Sequence, residues 1–258
     1  MSEVSSNQPT GTPNWVELGV PDIERAMQFY TAVFGWRYAD QGPESGNYTM
    51  CLLRDYAVAG MMQNPDPSAT EYWWNVYLAT DDCDGTVKRV ADAGGTVVMP
   101  PMDVMESGRM AIVKDPSGAQ FGLWQGRAHV GSELVNEPGT LSWNELHTPD
   151  SAAARAFYGT VFGYGLEPMT GVPDLDYTLL RVDGHEVGGL YGTSEVPTAR
   201  WVTYFAVADA DEAARKAVAA GGTVEGEPDD SPYGRIVSIR DPFGAEFRAI
   251  KLAENPPG

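Results

Sequence analysis

The chain has 258 residues, enough for one large domain or two of ordinary size. Its 17 Lys and Arg stand against 36 Asp and Glu, a net charge of −19 that would repel phosphates and excludes nucleic acid as a partner. Hydrophobic residues make up 43%, a globular composition, and no apolar run approaches the roughly 18 residues needed to cross a bilayer. The N-terminal residues show neither the basic start nor the apolar stretch of a signal peptide. The only cysteines, Cys51 and Cys83, lack a His or a second Cys at motif spacing, so a cytoplasmic protein without membrane contact is expected.

In chain order, the first element is a strand over 15–20. Asp22 then caps a helix that carries Ile23, Ala26, Met27, Tyr30, Val33 and Phe34 at helical spacing and stops at Gly35. Tyr48–Leu53 reads as a strand, a second helix follows Asp81-Asp-Cys-Asp84 and ends at Gly94-Gly95, and Asp115-Pro-Ser-Gly118 precedes a last strand. Residues 127–138 lack a long periodic pattern and read as a linker, and residues 1–10 are expected to be disordered. The same order then recurs. A helix runs from Asp150 through Phe157, Tyr158 and Phe162 to Gly163, and Asp183-Gly184 marks a hairpin turn. Another helix follows Asp209-Ala-Asp211 and ends at Gly221-Gly222, and Asp241-Pro-Phe-Gly244 precedes the final strand and a tail over 253–258.

This recurrence is a sequence repeat. A shift of 128 residues aligns 11–38 with 139–166 at 13 identical positions of 28, including Gly11-Thr12 with Gly139-Thr140 and Trp15 with Trp143. Two homologous domains, 11–126 and 139–252, follow. Each subdivides into two units of strand, helix and about three strands, so the unit occurs four times.

Trp15-Val-Glu-Leu-Gly-Val-Pro-Asp22 with Phe29-Tyr30 and Phe34-Gly35, together with the two Asp-Pro-x-Gly turns, resembles the vicinal oxygen chelate superfamily of glyoxalase and bleomycin-resistance proteins. More narrowly the chain is similar to a two-domain actinobacterial group that includes accessory proteins of anthracycline biosynthesis and a mycobacterial glyoxalase-like antigen. The resemblance implies an α+β fold of two tandem domains. Each would be built of two βαβββ modules that form a cup-shaped mixed sheet with helices outside.

Metal-dependent members of that superfamily place His, Gln or Glu on the first, fifth and last strands of each cup, where N and O donors converge on a divalent ion. The implied positions here are Trp15, Asn75 and Gly122 in one domain and Trp143, Val202 and Arg248 in the other. Indole offers a metal no lone pair, a guanidinium repels it, and only Asn75 could ligate at all. No metal and no other cofactor are therefore expected.

Strand alternation indicates what replaces the ion. Trp15, Glu17 and Gly19 share one face, as do Trp143, Glu145 and His147; Asn75 and Tyr77, Val202 and Tyr204, Gln120 and Trp124, and Glu246 and Arg248 should also point inward. One reading is an aromatic-floored pocket with a carboxylate per domain, suited to a small hydrophobic or aromatic ligand such as a polyketide. The other makes the Trp residues core filler, with Glu17 and Glu145 paired to Arg109 and Arg235. Glu17, Glu145 and His147 are the catalytic candidates, acting as general base or proton partner, with Arg109 or Arg248 stabilising an anion. Met99, Met102, Met105 and Met110 are candidates for the edge of the first pocket, His129 and His185 are expected to be solvated, and the chain is expected to be a monomer or homodimer.

Overall fold

A computed structural model describes residues 3–254. The first half runs β1 (Pro13–Val20), α1 (Ile23–Phe34), β2 (Arg37–Asp40), β3 (Thr49–Leu53) and β4 (Tyr56–Gln63). It continues with β5 (Trp74–Ala79), α2 (Cys83–Asp92), β6 (Thr96–Val104), β7 (Gly108–Lys114) and β8 (Gln120–Gly126). The second half repeats this as β9 (Leu141–Thr148), α3 (Ser151–Phe162), β10 (Gly165–Pro168), β11 (Asp176–Val182) and β12 (His185–Gly192). It closes with β13 (Arg200–Ala206), α4 (Ala210–Ala219), β14 (Thr223–Ser231), β15 (Gly234–Arg240) and β16 (Glu246–Leu252).

The helices end as their caps dictate. Asp22, Asp82, Asp150 and Asp209 each accept a backbone N–H from the first turn of their helix, and Gly35 and Gly163 stop α1 and α3 in the left-handed conformation. Each half is one eight-stranded sheet, ordered β2-β3-β4-β1-β5-β8-β7-β6 and β10-β11-β12-β9-β13-β16-β15-β14. Within each module the first and last strands pair in parallel, which requires the helical crossover; the modules join antiparallel at β1–β5 and β9–β13. The result is two curved mixed sheets, each with its helices on the convex side.

The two convex sides meet. α1 packs against α4, α2 against α3 and β5 against β13, and one hydrophobic core runs through both halves. Trp36, 1% exposed, stacks on Tyr30 at 5.5 Å, stands edge-on to Phe205 at 5.6 Å, and donates its indole N–H to the Gly139 carbonyl at 2.7 Å. The mirror contact is the Tyr164 hydroxyl on the Gly11 carbonyl. A second reciprocal pair links Tyr30 to Asp241 at 3.1 Å and Tyr158 to Asp115 at 3.2 Å, using the acids of the two Asp-Pro-x-Gly turns. With their backs joined, the concave faces of the two sheets point away from each other.

Residues 3–10 are not disordered: Val4 donates to the Glu133 carbonyl and Asn7 to that of Gly126, so the segment is tied along the connector. The connector is held in turn by Ser132 and Glu133, which bond to Asn14, Ala57 and Val58. Residues 1–2, and 255–258 of the expected tail, lie outside the described residues.

Candidate ligand cups

Each concave face collects the side chains that strand parity assigned to it. In the first cup Trp15 is 4% exposed and its indole N–H donates to the Tyr48 hydroxyl at 2.9 Å. Tyr48 donates to Glu17 Oε2 at 3.0 Å and Tyr77 to Glu17 Oε1 at 2.5 Å. Burial pushes the Glu17 carboxyl above its ordinary pKa, and the two tyrosine bonds offset this only in part. Trp15, Tyr77, Ile112 and Trp124, with Tyr48 and Met110 against them, fill much of this cup with a small core of its own.

The second cup repeats the frame with different chemistry. Trp143 donates to the Tyr177 hydroxyl at 3.1 Å, and Tyr204 donates to Glu145 Oε1 at 3.1 Å. His147 Nε2 lies 2.6 Å from the same oxygen; an ionised carboxylate only accepts, so Nε2 carries the hydrogen. Arg248 donates to the Tyr204 hydroxyl at 2.5 Å, lies over its ring at 5.3 Å, and stands 3.8 Å from Glu145. Burial alone would raise the Glu145 carboxyl, but the bond and charge of His147 and the charge of Arg248 hold it below its ordinary pKa. Glu145 and His147 are both buried, whereas Trp143, Tyr191 and Ile236 are only half-buried, so this cup is the less filled of the two.

Two recurring glycines make room for these networks. Gly60 and Gly189 sit opposite Glu17 and Glu145 in register, and a Cβ there would lie 1.8 and 1.9 Å from the hydroxyls of Tyr48 and Tyr177. Tyr48 and Tyr177 were not singled out from the sequence, although their recurrence in both repeats was the available signal.

Arg109 and Arg235 do not reach the cups. Arg109 makes a bidentate pair with Asp84 in the first turn of α2 (2.7 and 2.9 Å) and a bond to Asp103; Arg235 grips Asp211 of α4 (2.8 and 3.0 Å) and Asp230. Both bind the second helix of their half to the neighbouring hairpin, and neither pairs with Glu17 or Glu145. Met99 and Met102 are exposed on edge strand β6 and Met105 in the turn that follows it, and among these methionines only Met110 joins the cup interior.

His129 departs furthest from expectation. Instead of being solvated, its ring stands edge-on to Trp15 at 4.4 Å and Trp124 at 5.7 Å, while its carbonyl accepts the Trp124 indole N–H at 2.8 Å. Burial pulls the imidazole below its ordinary pKa. The connector thus closes the Trp15–Trp124 end of the first cup. Because the connector is not part of the repeat, no sequence signal marked this residue.

Of the metal positions implied by resemblance, Trp15 shares a cross-strand row with Gly122 and Trp143 with Arg248, but the residues between them are Tyr77 and Tyr204; Asn75 and Val202 sit two residues away, opposite Glu17 and Glu145. Their donors do not fit a divalent ion. Among the described residues no three His, Cys, Asp or Glu side chains gather in a metal-binding group, and a guanidinium stands beside Glu145.

Residues 12–123 match the model of the Glyoxalase/Bleomycin resistance protein/Dioxygenase superfamily, and residues 144–250 match a glyoxalase-like domain. The chain belongs to this superfamily. It is 45% identical over 251 residues to CFP32 of Mycobacterium tuberculosis, which carries the name of a glyoxylase, covering 94% of this chain and 95% of that one. It is 37% identical over 264 residues to the anthracycline biosynthesis protein DnrV of Streptomyces peucetius, covering 96% and 95%. The fold is shared with a catechol 2,3-dioxygenase (TM-score 0.66, 11% identity, 97% of this chain and 91% of that one). It is shared equally with the Mn(II)-bound glyoxalase of Novosphingobium aromaticivorans (TM-score 0.65, 17% identity, 96% and 86%). Among the described residues no helix is long and apolar enough to cross a membrane.

Proposed function

We propose that this protein binds a planar, mostly apolar metabolite of the aromatic polyketide type in its second cup, without a metal, as an accessory to biosynthesis or as a sequestering agent. The observation that carries the reading is the Glu145–His147–Tyr204–Arg248 cluster at the base of that cup. Trp143, Tyr191 and Tyr204 supply flat apolar surface, and the cluster offers donors and an acceptor to hydroxyl or carbonyl groups. The 37% identity to an anthracycline biosynthesis protein over nearly the full chain supports the ligand class.

Isothermal titration against a panel of aromatic polyketides should yield saturable binding that Trp143→Ala weakens about tenfold, the loss of one well-packed aromatic contact. Absence of binding across the whole panel would remove this reading. The short His147–Glu145 bond favours a second one, in which the pair acts as a general base on an acidic phenol or carbon acid. In that case Glu145→Gln lowers turnover of a bound panel member by about 10²–10⁴, and unchanged turnover rejects it.

A further inference from the structure

The two cups hold the same carboxylate in opposite company. Beside Glu145 the second repeat places His147 and Arg248, and Val202 lies opposite it in register on β13. The first repeat has Gly19 in place of His147, Gly122 in place of Arg248, and Asn75 in place of Val202. Glu17 is left with two tyrosine hydroxyls, and among the described residues no Lys, Arg or His pairs with it. Asn75, its register partner, is 8% exposed, and its Oδ1 accepts no hydrogen bond. Two acceptors thus lie side by side on one face without a donor cation, and a buried acceptor in that state lacks the partner it needs.

We propose that the first cup is a binding site for a protonated organic amine, whose ammonium donates to Glu17 and Asn75 while its carbon skeleton lies towards the Gly19 end, against half-buried Tyr48. Aromatic faces around a carboxylate attract ammonium both by charge and through their quadrupoles. The net charge of −19 draws cations towards the chain. Access is from the Gly19 end: His129 covers Trp15, but Glu17 is partly exposed, and the nearest atoms to a Cβ built on Gly19, those of the Asn64 side chain, lie no closer than 3.6 Å. The site rests on reading the cups as ligand-binding and assigns the first its own chemistry, acceptors where the second presents donors.

Glu17 adds a signature that a packing role would not produce. Its carboxyl is displaced upward by burial, and the titratable groups facing it, Tyr48 and Tyr77, are themselves pushed up and stay neutral, while His129 lies against Trp15. An arriving ammonium favours ionised Glu17, so the amine should displace a proton wherever that carboxyl is part-protonated.

The experiment is isothermal titration of the full chain with benzylamine, with benzoate as the matched anion, in two buffers of different ionisation enthalpy at a series of pH values from 5 to 8. Benzylamine should saturate at one per chain with proton release, at least tenfold more tightly than benzoate. Glu17→Gln should weaken it at least tenfold and Asn75→Val, which installs the residue of the second repeat, several-fold. Amide resonances of Gly19 and Asn75 should shift, rather than those of Gly189 and Thr203. No saturable benzylamine binding, equal binding of benzoate, or unchanged affinity in either folded variant overturns the site. If a polyketide still binds the second cup while benzylamine fails, the ammonium site alone is lost.

Discussion

Trp36→Ala should destabilise the whole chain by about 3–5 kcal/mol, the cost of emptying a buried indole site. Trp36 lies between Tyr30, Phe34, Trp74 and Phe205, so its removal leaves a cavity in the core that both halves share. It also strips the Gly139 carbonyl of its donor at the start of the second domain. Urea unfolding followed by far-UV circular dichroism should therefore show one transition displaced as a unit, although Trp36 belongs to the first half. Trp73→Ala is the control: that side chain is 47% exposed, and its loss should stay within about 0.5 kcal/mol. Two transitions, with the second half unmoved, would mean that the halves fold independently.

His147→Ala should cost about 3 kcal/mol at neutral pH, because it leaves a buried carboxylate without its nearest donor. The figure sits at the low end for a broken buried pair because Tyr204 and Arg248 remain beside Glu145. The pH dependence follows from the sign of the shift. Glu145 is held below its ordinary value in the folded protein, so its contribution is present above the unfolded carboxyl value of about 4.3 and is lost as pH falls below it. In His147→Ala the carboxyl rises towards that value and the acid loss moves to higher pH. Denaturant midpoints measured between pH 2 and 8 read both effects, and a curve superimposable on that of the unmodified protein would show that His147 does not hold the charge.

Local rules made the frame legible. The Asp caps, the left-handed glycines and the repeat named the four modules, and period-two alternation placed Trp15, Glu17, Tyr77, Trp143, Glu145, His147, Tyr204 and Arg248 on the concave faces. What escaped the sequence depends on reach and on long-range contact. Arg109 and Arg235 are expected at the cups as partners of Glu17 and Glu145, but a guanidinium on a long stem bends to the nearest bidentate acid, here in the first turn of a helix. His129 sits in the connector, outside both repeats, so nothing local marked it as a plug. Tyr48 and Tyr177 recur at equivalent places in the two repeats, but their reach to the carboxylates depends on the long-range approach that Gly60 and Gly189 admit.

The reciprocal bonds between the halves, Trp36 to Gly139 with Tyr164 to Gly11 and Tyr30 to Asp241 with Tyr158 to Asp115, form a self-complementary surface of the kind a twofold dimer uses. In a true homodimer every substitution would be written into both cups at once, and the two would have to stay identical. Joining the copies in one chain keeps the twofold interface while releasing each concave face from its twin. That freedom is what allows Gly19 and His147, Gly122 and Arg248, and Asn75 and Val202 to occupy equivalent places in a single molecule.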